Sequence, residues 1–88
     1  MKIKKGFVIE KVADSYLACA TGKLASQFSG FIKLNETGVF LWNQLSDKDM
    51  TADELTAALT AEYEVDLAIA SADVSAFVKK LEANGIIE

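Results

Sequence analysis

The N-terminal part of the chain carries β-branched and aromatic residues in short runs, a pattern typical of strands. Phe7–Val12 and Ser15–Ala20 are two such runs, and the two-residue spacer between them predicts an antiparallel hairpin. Residues 21–29 indicate a loop followed by an irregular segment, and residues 30–34 form a third apolar run. We therefore expect three short strands, which need a covering layer on one face.

Three later segments carry apolar residues at helical spacing, and each follows a residue that commonly caps a helix N-terminus. Asn35 precedes the first segment. Thr51 precedes the second and has Glu54 three residues after it, which is the signature of a capping box. Asp66 precedes the third. Between the first two segments, residues 46–49 predict a polar loop.

The third helical segment has the longest apolar stripe, which consists of Leu67, Ala70, Val74, Phe77, Val78 and Leu81. It ends before Gly85, a residue suited to the position after a helix, and Ile86 is placed to fold back on it. Trp42 is expected to anchor the first helix in the core, with a partner-facing ring as the alternative. The sequence predicts one α+β domain over residues 1–88. Its three-stranded antiparallel sheet precedes three helices (β-β-β-α-α-α), as in winged helix-turn-helix domains.

Composition argues against catalysis and against a metal or cofactor. The chain has no histidine and one cysteine, Cys19, which excludes histidine-based catalysis and multi-cysteine metal ligation. Glu62, Glu64 and Asp66 stand close together, and we interpret them as a solvated helix end rather than a cation site. We expect a non-enzymatic protein without cofactor or metal. The lone thiol and the lack of a signal-peptide or membrane-spanning run indicate a cytoplasmic protein.

Two features of the predicted surface favour peptide binding. A three-stranded sheet has two edges, an exposed edge pairs with a further strand, and residues 30–34 carry one charge, Lys33. Whether residues 24–29 cover this edge stays open. At about 100° per residue, a flank of the third helix beside its buried stripe consists of Ile69, Asp73, Ala76 and Lys80. A strand next to this flank would form a groove for β-augmentation.

The order and spacing of several short motifs resemble the pyrroloquinoline-quinone biosynthesis protein D family. The motifs are Gly30-x-x-x-Leu34-Asn35-Glu36-Thr37-Gly38, Leu41-Trp42, Leu45, Thr51-x-x-Glu54-Leu55, Leu59, Glu62-Tyr63-x-Val65-Asp66, Asp73-Val74, Phe77-Val78, Leu81 and Gly85-Ile86-Ile87. Members are winged-helix-like domains called RiPP recognition elements, where RiPP means ribosomally synthesised, post-translationally modified peptide. The resemblance implies that a precursor's leader segment adds as a strand beside the third strand and packs against the third helix. It also implies presentation to a modifying enzyme, often a radical SAM protein.

We therefore predict a non-catalytic peptide-binding chaperone whose partners are a leader peptide and a modifying enzyme, with no nucleic-acid or membrane partner. The candidate peptide-binding residues are Gly30, Phe31, Ile32, Lys33, Leu34, Ile69, Asp73, Ala76, Phe77 and Lys80. Phe31 and Ile32 point to opposite faces of the strand, and which of them meets the peptide stays open. Lys33 and Lys80 are candidate partners for leader carboxylates.

A winged-helix DNA-binding regulator is the alternative function. Such a protein places a helix with basic side chains in the major groove. The second helical segment instead carries Asp53, Glu54 and Glu62 and no lysine, and the net charge is −4. A small enzyme is a further alternative, but no nucleophile and base can be paired in this sequence.

Overall fold

The computed structural model describes residues 1–26 and 30–87 and confirms the predicted order of three strands followed by three helices. The strands are β1 (Phe7–Val12), β2 (Ser15–Ala20) and β3 (Phe31–Leu34), and the helices are α1 (Glu36–Asp47), α2 (Ala52–Glu62) and α3 (Leu67–Ala83). A short 3-10 helix, Gly22–Ser26, follows β2. The likeness to a winged helix-turn-helix domain stays a prediction. Within the described residues, no helix has the length and apolarity needed to span a membrane.

The three strands form one antiparallel sheet in which β2 lies between β1 and β3. Val12 pairs with Ser15 across the hairpin turn, and Tyr16 pairs with Leu34 on the other side of β2. Since β3 pairs with β2 alone in the described part of the chain, its other side is an edge of the sheet. Residues 27–29 belong to the segment considered above as a cover for this edge, and they lie outside the described residues.

The core lies between the sheet and the helices. Ala18 and Leu34 contribute from the sheet and are buried. The largest fully buried side chains are Leu41, Leu45, Leu55, Leu59, Val74, Leu81 and Ile86. Trp42 is 4% exposed, and its ring meets that of Phe7 edge to face with 5.6 Å between centroids. The prediction that Trp42 anchors α1 in the core is confirmed.

Side-chain capping fixes the start of α1 and α2 but not of α3. The Oδ1 atom of Asn35 accepts the N–H of Gly38 at 2.8 Å. The hydroxyl of Thr51 accepts the N–H of Glu54 at 3.1 Å, and the Glu54 carboxylate accepts the N–H of Thr51 at 3.0 Å. The predicted capping box is therefore present. Asp66 occupies the predicted N-cap position of α3, but its side chain makes no capping hydrogen bond.

Two loop predictions are wrong in part. Ser46 and Asp47 belong to α1, and the N–H of Lys48 still donates to the carbonyl of Gln44 at 3.3 Å. Exposed polar side chains fit the solvent face of a helix as well as a loop, so polarity alone misplaced this boundary. Gly22–Ser26 forms a 3-10 helix where a loop and an irregular segment were expected.

The C-terminal end of α3 follows the prediction. Gly85 has φ 68°, a left-handed conformation that glycine adopts without steric cost. The N–H of Ile86 then donates to the carbonyl of Leu81 at 3.0 Å, and the Ile86 side chain is fully buried. Ile87 forms an isolated antiparallel bridge with Ile3. This bridge joins the chain ends beside the core.

Candidate functional site

A groove of about 590 Å³ lies between the C-terminal end of β3 and one face of α3. The start of α1 and the turn between β1 and β2 complete its walls. The lining residues are Asp14, Ser15, Lys33, Leu34, Asn35, Thr37, Gly38, Leu41, Asp73, Ala76, Phe77 and Lys80. The groove therefore lies at the junction of the third strand and third helix for which a peptide groove was predicted above.

The groove brings together six of the ten candidate residues: Lys33, Leu34, Asp73, Ala76, Phe77 and Lys80. Leu34 and Phe77 are 4% and 7% exposed, so they form an apolar floor that is continuous with the core. Asp73, Ala76 and Lys80 are exposed on α3. The groove thus has an apolar base and a rim that mixes charged and small side chains.

The other four candidates lie outside this groove. Gly30, Phe31 and Ile32 border a separate small cavity of about 40 Å³. Ile69 lines neither cavity, although its side chain is 53% exposed. A role in peptide binding stays a prediction for all ten candidate residues, whether or not they line the groove.

The register of β3 shows which side of the strand faces the core. Ile32 lies opposite the buried Ala18 and packs against the core as a partly buried side chain. Phe31 lies opposite Cys19, which lies opposite Val8 in β1. Phe31 is 63% exposed on the face of the sheet directed away from the core. Ile32 therefore helps to build the fold, and Phe31 is the accessible member of the pair.

Sequence reasoning missed the hairpin turn as a groove wall. Tyr16 pairs with Leu34, so the chain preceding Tyr16 extends past the end of β3 toward Asn35. Asp14 and Ser15 reach the groove in this way. Strand register is a tertiary property, and no local pattern in the sequence indicated that this turn borders the third strand.

The first turn of α1 was also missed as a wall, although its residues stand in the motif that carries the family resemblance. The Oδ1 atom of Asn35 accepts the hydroxyl of Thr37 at 3.0 Å and the N–H of Gly38 at 2.8 Å. A Cβ atom on Gly38 would lie 3.1 Å from that Oδ1 atom and 3.4 Å from Leu34 Cβ. Glycine at this position therefore lets the capping side chain pack closely against the helix beside the groove.

The backbone of β3 directs hydrogen-bonding groups toward the edge of the sheet. The Lys80 ammonium donates to the carbonyl oxygen of Lys33 at 2.8 Å, so this carbonyl is directed away from β2. In an antiparallel ladder, a residue with its carbonyl off the ladder also directs its N–H outward, and so does the residue two positions away. Phe31 and Lys33 therefore both present an N–H and a carbonyl to the edge.

Four charged residues, of both signs, line the groove. Asp14 and Asp73 are acidic, Lys33 and Lys80 are basic, and all four are exposed. In the part of the chain that the structure describes, none of the four forms an ion pair. Their charges are accordingly available to a charged ligand.

Two further observations concern the free thiol and possible metal ligands. Cys19 is a free thiol, half-buried in β2 on the face away from the core. Across residues 1–26 and 30–87, no cluster of three cysteine or carboxylate side chains is placed to hold a metal ion.

Comparison with known proteins identifies the family. The family model for coenzyme PQQ synthesis protein D (PqqD) matches residues 20–87. The chain belongs to the PqqD family. No curated protein matches the chain.

Two solved structures share the fold of the whole chain. TbiB1 in complex with the TbiA(beta) leader peptide is 23% identical, with a TM-score of 0.73 over 100% of this chain and 95% of that one. Lasso peptide synthetase B1 complexed with the leader peptide is also 23% identical, with a TM-score of 0.70 over 99% of this chain and 95% of that one. At this level of identity, the likeness establishes the common fold.

Proposed function

We propose that this protein is a non-catalytic chaperone that binds the leader segment of a ribosomally synthesised precursor peptide. The observation that carries the proposal is the edge of β3 beside a groove. Phe31 and Lys33 direct backbone donors and acceptors outward, and the groove begins at Lys33 and Leu34. An extended peptide has complementary groups at the same two-residue spacing. It therefore adds to this edge as a fourth strand.

Strand addition supplies affinity that depends little on peptide sequence, and the groove supplies the selectivity. Side chains of an added strand alternate between its two faces, so every second side chain is directed toward the groove. A large apolar side chain of the peptide packs on the floor made by Leu34 and Phe77. Ala76 has a short side chain and leaves room for it on α3.

The charged rim supplies the remaining selectivity. Lys33 and Lys80 stand beside the edge where the peptide enters and pair with its carboxylates. Exposed ion pairs contribute little affinity each, but they fix the register of the added strand and favour acidic leaders.

The comparisons support the choice of ligand class. Both structural neighbours named above are complexes with a leader peptide. A leader segment is therefore the peptide that we propose for this groove. The bound leader presents the rest of its precursor to a modifying enzyme, and a radical SAM enzyme is one candidate for that partner.

The proposal is tested by calorimetric titration of the purified protein with a synthetic leader peptide from the precursor gene that neighbours its own gene. A scrambled peptide of the same composition is the matched control, since it keeps the charge and changes the order of side chains. We expect saturable binding with a 1:1 stoichiometry for the leader and weaker binding for the scrambled peptide. Equal binding of the two peptides, or binding of neither, would overturn the proposal.

A further inference from the structure

A single lysine joins the two walls of the groove. The Nζ atom of Lys80 on α3 lies 2.8 Å from the carbonyl oxygen of Lys33 on β3, an ordinary hydrogen-bond distance. That carbonyl is one of the outward acceptors that an added strand would use. The ammonium group therefore lies in the space beside the edge that an added strand must enter.

The Lys33 carbonyl is a weak partner for the charged ammonium group of Lys80. Lys80 is exposed and forms no ion pair with any described residue, so its ammonium is held by a neutral carbonyl alone. Asp73 lines the same groove two helical turns before Lys80, and its carboxylate forms no ion pair with the Lys80 ammonium. A carboxylate is a stronger acceptor for an ammonium than a carbonyl is, because its negative charge adds to the hydrogen bond.

We infer that Lys80 determines the selectivity of the groove by exchanging the Lys33 carbonyl for a peptide carboxylate. The inference rests on the proposed function. An added strand takes the Lys33 carbonyl with its own N–H and displaces the ammonium. A peptide with a carboxylate beside α3 gives the ammonium a better partner, whereas a neutral peptide leaves it without one. Lys80 thereby opposes neutral peptides and favours acidic ones.

The chain contains a matched control for this lysine. Lys79 precedes Lys80 on α3, is also exposed and does not line the groove. Lys80→Met and Lys79→Met change the net charge equally. Each replaces a lysine with an unbranched apolar side chain. Only the former removes the contact with Lys33.

The first experiment tests whether Lys80 contacts the Lys33 carbonyl in the protein without peptide. A hydrogen bond to a carbonyl moves its carbon resonance downfield in the NMR spectrum. Lys80→Met is expected to move the backbone carbonyl carbon signal of Lys33 upfield, and Lys79→Met to leave it in place. The same Lys33 signal in both variants would show that the contact does not form in solution and would overturn the inference.

The second experiment measures how strongly the groove prefers an acidic peptide to its neutral variant. The leader peptide from the neighbouring precursor gene is synthesised with each Asp or Glu replaced in turn by its amide. We expect one such replacement to weaken binding to the natural protein by about fivefold, the upper range for an exposed ion pair. The same replacement should change binding to Lys80→Met by less than about twofold, with Lys79→Met behaving as the natural protein. The amide peptide should also bind Lys80→Met more tightly than it binds the natural protein, since no ammonium opposes it.

Failure of the inference and failure of the proposed function are distinguishable. If the natural protein binds the leader and the same amide replacement costs the same factor in Lys80→Met, the inference is wrong and the peptide site stands. If the natural protein binds neither peptide, both are wrong.

Discussion

Tyr16 in β2 lies directly opposite Leu34 in β3, and this pairing places the hairpin turn at the mouth of the groove. Leu34 is the last residue of β3 and part of the groove floor. The residue before Tyr16 therefore extends beyond the strand and reaches the start of α1. The sheet register thus sets one end of the groove, while α3 sets its long side.

Filling the groove should weaken peptide binding without unfolding the protein. Ala76→Trp places a large ring in the space between α3 and β3, and because Ala76 is exposed, the core is left intact. Leader affinity should fall at least tenfold, which corresponds to about 1.4 kcal/mol. Calorimetric titration measures the affinity, and a circular dichroism melt measures the fold.

Ser75→Trp is the matched control for that variant, because Ser75 is exposed on the same helix and does not line the groove. It should bind the leader as the natural protein does. If Ala76→Trp folds normally and also retains full affinity, the peptide does not lie against this face of α3.

Truncation of the tryptophan should damage folding first. Trp42 is 4% exposed and its ring contacts that of Phe7, so Trp42→Ala leaves a cavity in the core. Such truncations typically cost about 3–5 kcal/mol of the free energy of unfolding. Chemical denaturation measures the loss. Phe31→Ala is the control, since Phe31 is 63% exposed, and its stability should stay close to that of the natural protein. An unchanged denaturation midpoint for Trp42→Ala would show that Trp42 does not belong to the core.

The two helix caps should respond differently to the same type of change. Thr51→Ala removes the hydroxyl that accepts the N–H of Glu54, which costs about 1 kcal/mol. In a domain of this size the melting temperature should fall by about 4–8 °C. Asp66 makes no side-chain capping bond, so Asp66→Ala should shift the melting temperature much less. Equal shifts in the two variants would contradict a side-chain cap at Thr51 and the lack of one at Asp66.

Duplex DNA should not bind at physiological salt. The net charge is −4, and α2 carries Asp53, Glu54 and Glu62 without any lysine. Affinity for duplex DNA depends on basic side chains that neutralise phosphates, and this helix offers none. A gel-shift titration should show no complex with micromolar protein at about 0.15 M salt. A complex in that range whose affinity falls with added salt would favour the regulator alternative instead.

Features fixed by local interactions were predictable, and features fixed by distant contacts were not. The capping box of Thr51 and Glu54 involves residues three apart, and Gly85 ends α3 through its own backbone conformation. Both followed from the sequence. The boundary at Asp47 was misplaced, since exposed polar residues suit a helix surface and a loop alike.

The residues of the candidate site also divide into those that the sequence predicts and those that depend on distant contacts. Asp73, Ala76 and Lys80 share one helix face at helical spacing, and the groove contains all three. Ile69 continues that spacing but lies outside the groove, because the face of a helix extends further than the surface that packs against it. The position of Asp14 in the groove wall depends on the register between β2 and β3, which no local sequence pattern indicates.

Strand addition to β3 is tested most directly by an N-methyl scan of the leader peptide. Each backbone N–H of the binding segment is methylated in turn, which removes one donor and leaves the side chains unchanged. Because Phe31 and Lys33 direct their carbonyls to the edge, alternate peptide positions should donate to them. Methylation at those positions should weaken binding by about tenfold, and methylation at the intervening positions should have little effect. A loss without this two-residue period, or no loss at any position, would contradict binding as an added strand.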